Sequence, residues 1–238
     1  VGYGGQRSTL RRGVGVVVGC PGRLEDLIAQ GDLDLSAVKL VVVDEADRAA
    51  DMGFLPAVKR LIDATRDDRQ VLLFSATLDK DVDVLVRRYQ HDPRHHQVAV
   101  DSSDGERVSH LWWKAESDQW LELTTEVLRK QSPAIVFCRT RHGAERLTKR
   151  LEKAGIQAAP IHGDRSQAQR ERALAAFRAG RVQALIATDV AARGIHVDDV
   201  ACVIHFDPPA DSKDYVHRSG RTGRAGADGL VVSMVSSQ

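Results

Sequence analysis

The sequence predicts an α/β protein in two units, each a parallel sheet flanked by helices. Three observations carry this. Short apolar, β-branched runs alternate with stretches of helical periodicity, the pattern of βαβ units. The run Val41-Val42-Val43 ends directly on Asp44-Glu45-Ala46-Asp47, placing carboxylates at the C-terminal end of a strand, where open α/β sheets form their ligand crevice. A small, polar stretch, Asp101-Ser102-Ser103-Asp104-Gly105-Glu106, interrupts the pattern, which then restarts. The expected organisation is 1–100 as the first unit, 101–107 as a linker and 108–238 as the second.

Taken in order, Val1 to Gly5 is turn-rich, and Val14 to Val18 has the composition of a short buried strand. Cys20-Pro21-Gly22-Arg23 marks a turn into a helix over Leu24 to Gln30. Lys39 to Val43 follows as a strand expected to be buried on both faces. Apolar spacing predicts a helix over Phe54 to Ala64, a strand over Val71 to Phe74 and a helix over Asp81 to Tyr89. In the second half, strands are expected at His110 to Trp113, Ala134 to Phe137, Ala159 to His162, Ala184 to Ala187, Cys202 to Phe206 and Leu230 to Val235. Helices are expected at Asp118 to Lys130, His142 to Lys153 and Gln167 to Arg178. No short-period repeat is present.

The 238 residues are 42% hydrophobic and 28% charged, ordinary values for a globular protein. The net charge of +1 gives no global field for nucleic acid, so phosphate binding has to come from local placement. Three widely spaced cysteines, Cys20, Cys138 and Cys202, form no Cys-x-x-Cys unit, which argues against a disulfide framework or a zinc site and for reduced thiols of the cytoplasm. No apolar run approaches the ~18 residues of a membrane-spanning helix, and no signal peptide is visible.

Several segments carry chemistry. Asp44 suits a Mg²⁺ held on nucleotide phosphates, since Mg²⁺ prefers hard oxygens and retains water; Glu45 would face the attacking water. Read alone, such a pair is common in solvated turns. Ser75-Ala76-Thr77 ends a strand and His162-Gly163-Asp164 begins a turn into a helix, where Asp164 or Ser166 is also a plain N-cap candidate. Thr188-Asp189 follows another strand and leads to Arg193-Gly194-Ile195-His196. His217-Arg218-Ser219-Gly220-Arg221-Thr222-Gly223-Arg224 places three arginines within seven residues, forked donors suited to phosphate. The alternative for that segment is a solvated basic helix end.

Together and in this order, Pro21-Gly22-Arg23, Asp44-Glu45-Ala46-Asp47, Ser75-Ala76-Thr77, His162-Gly163-Asp164, Thr188 to Gly194 and His217 to Arg224 resemble the DEAD-box ATP-dependent RNA helicases of superfamily 2. The resemblance covers essentially the whole chain. It implies two RecA-like domains, ATP between them, and RNA across both, held through its backbone rather than its sequence. It further implies a monomer in the cytoplasm with protein partners unspecified. Position by position, it makes Asp44 the Mg²⁺ ligand through water and Glu45 the general base. Asp47, Ser75, Thr77 and His217 become the set that couples nucleotide state to domain closure. Gly194, His196, Arg221 and Arg224 become nucleotide contacts, the two arginines as fingers on the γ-phosphate. Gly5, Gly22, Arg23, Thr140 and Thr188 become RNA-backbone contacts.

The sequence departs from that pattern in three places. It holds no Gly-x-x-x-x-Gly-Lys-Thr phosphate loop and no adenine-reading glutamine segment before one, so a core lacking its N-terminal nucleotide-binding segment, with an incomplete first domain, is expected. His196 stands where the family has an aspartate near the ribose; a neutral imidazole still bonds a hydroxyl. Cys20 stands in place of a threonine. Two rival functions follow: a non-catalytic RNA- or protein-binding module that kept the scaffold, and a DNA-directed helicase of the same superfamily.

Overall fold

The computed structural model describes residues 2–78, 80–97, 107–192, 197, 200–223 and 227–236. The chain divides into two compact units, Val1–Gln97 and Val98–Gln238. Except for Arg107, the expected linker 101–107 lies outside the described residues.

The first unit runs α1 (Tyr3–Arg11), α2 (Pro21–Ala29), β1 (Leu40–Val43), α3 (Ala46–Asp51), α4 (Leu55–Asp63), β2 (Gln70–Leu73) and α5 (Lys80–Tyr89). Strands β1 and β2 form a two-stranded parallel sheet with Val41 opposite Val71 and Val43 opposite Leu73. One face packs on α4 and α5 through Val58, Ile62, Val71, Leu85 and Tyr89, with Val41, Val43 and Leu73 against them. Side chains alternate along a strand, so Leu40 and Val42 point the other way and are 52% and 53% exposed. The expectation of burial on both faces is therefore corrected: β1 is covered on one face among the described residues. Val14 to Val18 is corrected too. It is not a strand, and Val16 and Val18 are 80% and 92% exposed. Its composition suits a buried strand, but the described sheet of this unit pairs only β1 with β2. The opening residues, expected as turns, instead begin helix α1.

The second unit runs β3 (Val108–Lys114), α6 (Trp120–Lys130), β4 (Ala134–Phe137), α7 (Arg141–Lys153), β5 (Ala158–Ile161), α8 (Gln167–Arg178), β6 (Ala184–Ala187), α9 (Asp189–Ala192), β7 (Cys202–His205), α10 (Ser212–Ser219) and β8 (Gly229–Val235). Six parallel strands stand in the order β3-β8-β7-β4-β6-β5. Alternation feeds two cores. Ala134, Val136, Ala184, Ile186, Cys202 and Ile204 pack with Leu128, Leu147 and Leu151 on one face. Ile135, Phe137, Leu185, Ala187 and Val203 pack with Phe177 and Val200 on the other. Burial on both faces is why these strands are unbroken apolar runs. Helix α8 starts at a capping box: Ser166 Oγ accepts from Gln169 N, and the Gln169 side chain accepts from Ser166 N. That settles Ser166 as the cap, and Asp164 instead pairs with Arg141. Among the described residues no helix is long and apolar enough to cross a membrane.

Candidate functional site

The turn after β1 is fixed by β2. Phe74 N donates to Val43 O at 2.8 Å and Ala46 N to Phe74 O at 3.0 Å. Between these bonds Glu45 takes φ 48°, the left-handed region that a non-glycine residue seldom adopts. Such a residue costs on the order of 1–3 kcal/mol and persists only where its surroundings impose it. The turn leaves Asp44 and Glu45 exposed. Asp44 Oδ1 accepts from Glu45 N at 2.9 Å, and Glu45 Oε2 lies 3.5 Å from Arg48 Nη1. Among the described residues no group of three or more His, Cys, Asp and Glu is placed to hold a metal. A cation at Asp44 would therefore complete its shell with water and phosphate oxygens, the arrangement that suits Mg²⁺. Asp44, exposed and acceptor-only when ionised, fits that role.

Behind this turn, Asp47 is 4% exposed. Its Oδ1 accepts from Arg48 N at 2.9 Å, and its Oδ2 accepts from Thr77 N at 3.0 Å and Thr77 Oγ1 at 3.2 Å. Asp47 N donates to Ser75 Oγ at 3.1 Å, and Ser75 Oγ donates to Thr77 O at 2.6 Å. Residues 28 to 30 positions apart thus form one knot joining the loops after β1 and β2.

Helices α1 and α2 are locked together. The Arg23 guanidinium lies over the Tyr3 ring at 4.1 Å and donates to Gln6 Oε1 at 2.9 Å. Tyr3 OH donates to Asp26, which raises the Tyr3 pKa and lowers that of Asp26. Arg7 pairs with Asp32 at 2.6 Å. Sequence reading gave Arg23 a role on RNA alone and missed this structural one. A Cβ at Gly5 on α1 or Gly22 on α2 would meet nothing within 4 Å.

In the second unit, β4 and β6 are adjacent with Phe137 opposite Ala187, so Thr140 and Thr188 follow the same end of neighbouring strands. Thr140 is the N-cap of α7, its Oγ1 accepting from Gly143 N at 2.9 Å. Thr188 is 7% exposed, donating from N to Ile161 O at 3.2 Å. His217 is exposed on α10, and Arg221 is half-buried. Gly194, His196 and Arg224 lie outside the described residues.

One arginine of the last motif, Arg218, is turned inward, which corrects the reading of that segment's arginines as forked donors all open to phosphate. Arg218 is 3% exposed. Its Nε and Nη2 donate to Asp189 Oδ1 and Oδ2 at 2.6 and 2.7 Å, and its Nη1 donates to Asp207 O at 2.9 Å. Gly223 takes φ 69°, and a Cβ there would fall 2.2 Å from Val108 Cγ2, so the glycine is required where the motif crosses β3. His162, 2% exposed, bonds Glu145 Oε1 through Nε2 at 2.7 Å, a partner the sequence did not indicate. Also unread in the sequence is an aromatic group on β3 and α10: Trp112 and Tyr215 are near-parallel with centroids 6.3 Å apart, and His110 Nδ1 lies 2.6 Å from Tyr215 OH.

The family model described as DEAD/DEAH box helicase matches residues 2–85, and that described as helicase conserved C-terminal domain matches residues 118–226. DEAD-box ATP-dependent RNA helicase 30 of Arabidopsis thaliana is 40% identical over 96% of this chain and 40% of the relative. ATP-dependent RNA helicase DbpA of Bacillus subtilis is 37% identical over 97% of this chain and 49% of the relative. This chain thus spans less than half the length of either. Among solved structures, Dbp5 of S. cerevisiae bound to RNA and ADP BeF3 superposes with a TM-score of 0.79 at 29% identity, over 94% of this chain and 60% of that one. A hypothetical ATP-dependent RNA helicase from Sulfolobus tokodaii matches with a TM-score of 0.52 at 32% identity, over 100% of this chain and 70% of that one.

Proposed function

The chain belongs to the DEAD-box RNA helicase family, its two α/β units being RecA-like domains, and from that premise we propose that it serves as the core of an ATP-dependent RNA helicase that couples ATP hydrolysis to RNA remodelling. The observation that carries the reading is the exposed Asp44-Glu45 pair on a left-handed turn, backed by the buried Asp47–Ser75–Thr77 knot.

Each group then has a task. Asp44 would hold Mg²⁺ through water, and the ion would supply charge neutralisation at the phosphate oxygens. Glu45 accepts the proton of the attacking water, which its exposure permits. The Asp47 knot ties the loop of the general base to the loop of Ser75 and Thr77, so a displacement of either is felt by the other. His217 belongs to the same coupling set. Arg221 and Arg224 stabilise charge developing on the transferred phosphate, and Gly194 and His196 contact the nucleotide. Gly5, Gly22, Arg23, Thr140 and Thr188 hold RNA by its backbone, which makes binding salt-sensitive and sequence-tolerant. The three free cysteines fit a reducing compartment such as the cytoplasm.

Residues 1–238 contain no phosphate loop, and carboxylates cannot replace its N–H donors and lysine, since they carry the wrong charge. The 238-residue chain is therefore expected to bind RNA without RNA-stimulated ATP hydrolysis. A chimera carrying the upstream segment of the Bacillus subtilis relative is expected to hydrolyse ATP. In it, Glu45→Gln should lower kcat by about 10²–10⁴, the range for a general base. Arg224→Ala should lower it by at least about 10³, the low end for an arginine finger, while RNA affinity holds. The measurement is steady-state ATPase against RNA concentration. An active Glu45→Gln chimera would overturn the assignment of the base, and an Arg224→Ala chimera that loses RNA affinity at unchanged kcat would turn the arginine motif into an RNA patch.

A further inference from the structure

Helix α7 carries a charge pattern that the proposed chemistry does not use. Ala144, Leu147, Thr148 and Leu151 are buried. At about 100° per residue, His142, Arg146, Lys149, Arg150 and Lys153 fall within an arc of about 100° on the opposite side. All five are exposed. They wall a surface cleft of ≈ 420 Å³ together with one carboxylate, Glu145. That carboxylate is already engaged from the sheet side by His162 at 2.7 Å and by Arg165 at 2.5 Å. None of Arg146, Lys149, Arg150 and Lys153 has an ion pair among the described residues.

A solvated face is the ordinary fate of a basic run. Three features separate this one. Four permanent cations, Arg146, Lys149, Arg150 and Lys153, stand on a single stripe about 10 Å long, at 1.5 Å rise per residue. The cleft between them has little competing negative charge. The stripe also begins at the helix whose N-cap is Thr140, one of the residues assigned to the RNA backbone above. We propose that the exposed face of α7 is an accessory track for the RNA sugar–phosphate backbone, continuing the strand away from Thr140 and lengthening the binding site. The track reads charge rather than bases, because lysine and arginine ammonium and guanidinium groups on a helix face meet phosphates as spaced cations. The inference rests on the helicase reading of Thr140 and Thr188.

The test is fluorescence anisotropy of the 238-residue chain with a short single-stranded RNA, sized for the Thr140 and Thr188 contacts alone, and a long one. Affinity is measured across salt concentration. In the variant Arg146→Gln, Lys149→Gln, Arg150→Gln, Lys153→Gln, the log–log salt slope for long RNA should fall by about 2 to 3, at ~0.7 per phosphate contact on a single strand. The slope for short RNA should not change. Arg146→Lys with Arg150→Lys should keep the wild-type slope, since charge is retained. Glutamine is a good helix former and the sites face solvent, so circular dichroism should show an unchanged fold. An unchanged slope on long RNA, or equal loss on short and long RNA, overturns the track. Failure of the unaltered chain to bind short RNA sinks the underlying helicase reading instead, and is seen without any α7 variant.

Discussion

Arg218 and Arg221 are three residues apart in one motif, the first buried and the second half-buried. Arg218 spends all of its fork on Asp189 and a third bond on Asp207 O, below the surface. Removing one partner of such a pair costs about 3–5 kcal/mol, because the other charge is left buried. Arg218→Lys should not recover it, since an ammonium lacks the planar fork. Urea unfolding of the second unit is expected to show that loss for both Arg218→Ala and Arg218→Lys; a wild-type midpoint for the lysine variant would mean that charge alone matters there. A second residue is set by the same surroundings. His205 is 0% exposed, with Nδ1 3.2 Å from Ser233 Oγ and Nε2 without a partner. Burial, and then the neighbouring Arg218 cation, push its pKa down to about 3. Above the unfolded value of 6.5 the ring is neutral in both states, and pH does nothing through it. As pH falls below that value the unfolded chain takes up a proton that the folded chain refuses, and stability is lost until pH reaches about 3. One such proton gives a slope of up to about 1.4 kcal/mol per pH unit. Between about pH 6.5 and 5, above most carboxylate titration, His205→Asn should flatten the dependence of the unfolding free energy on pH. His110, also lowered by burial, acts in the same direction in both proteins, so their difference isolates His205. Equal slopes would mean the ring is not held neutral by the fold.

The elements show what sequence reading can and cannot reach. Ala134–Phe137, Ala184–Ala187 and Gln167–Arg178 are found at the bounds expected of them, because their composition and their burial agree. Val14 to Val18 has the same composition and fails, because a strand is made by its neighbour and none pairs with it in the described sheet. Helix α1 was missed for the converse reason. Gly4 and Gly5 argue against a helix by propensity, and the contacts that favour it, Tyr3 to Asp26 and Arg23 over Tyr3, come from α2, which is 20 or so residues away. The site divides likewise. Asp44, Glu45 and the Ser75-to-Thr77 segment stand out as motifs, yet nothing in the spacing tells that Asp47 turns inward to Thr77 while Asp44 stays in water. Gly5 tests which pull dominates on α1. With open space around its Cα, Gly5→Ala should stabilise the helix by about 0.5–1 kcal/mol. If the glycine also lets an RNA backbone approach, the same change should weaken RNA binding. Thermal melts and RNA titration of one variant separate the two: tighter or equal RNA binding would leave Gly5 with no part in the RNA site.

At the scale of the molecule the two units differ in how much of their sheet is covered. The second has six strands with a hydrophobic core on each face. Among the described residues the first has two strands and one core cluster, of the buried residues Val58, Ile62, Val71, Leu85 and Tyr89. A two-stranded sheet is marginal unless something packs on it. Here α4 and α5 cover one face, while Leu40, Val42, Phe74, Val16 and Val18 stay more than half exposed. Local opening free energy follows buried apolar contact, so the first unit should open more often than the second. Limited proteolysis of the intact chain is then expected to remove residues 2–97 first and to leave a resistant fragment that starts near Val108. N-terminal sequencing and mass of the surviving fragment read this directly. Adding RNA should slow the first cuts if Gly5, Gly22 and Arg23 hold it, because a ligand bound only to the folded state subtracts from opening. Equal resistance of the two units without RNA would show that α1, α2 and their locking contacts around Tyr3 and Arg23 stabilise the first unit more than its small core does.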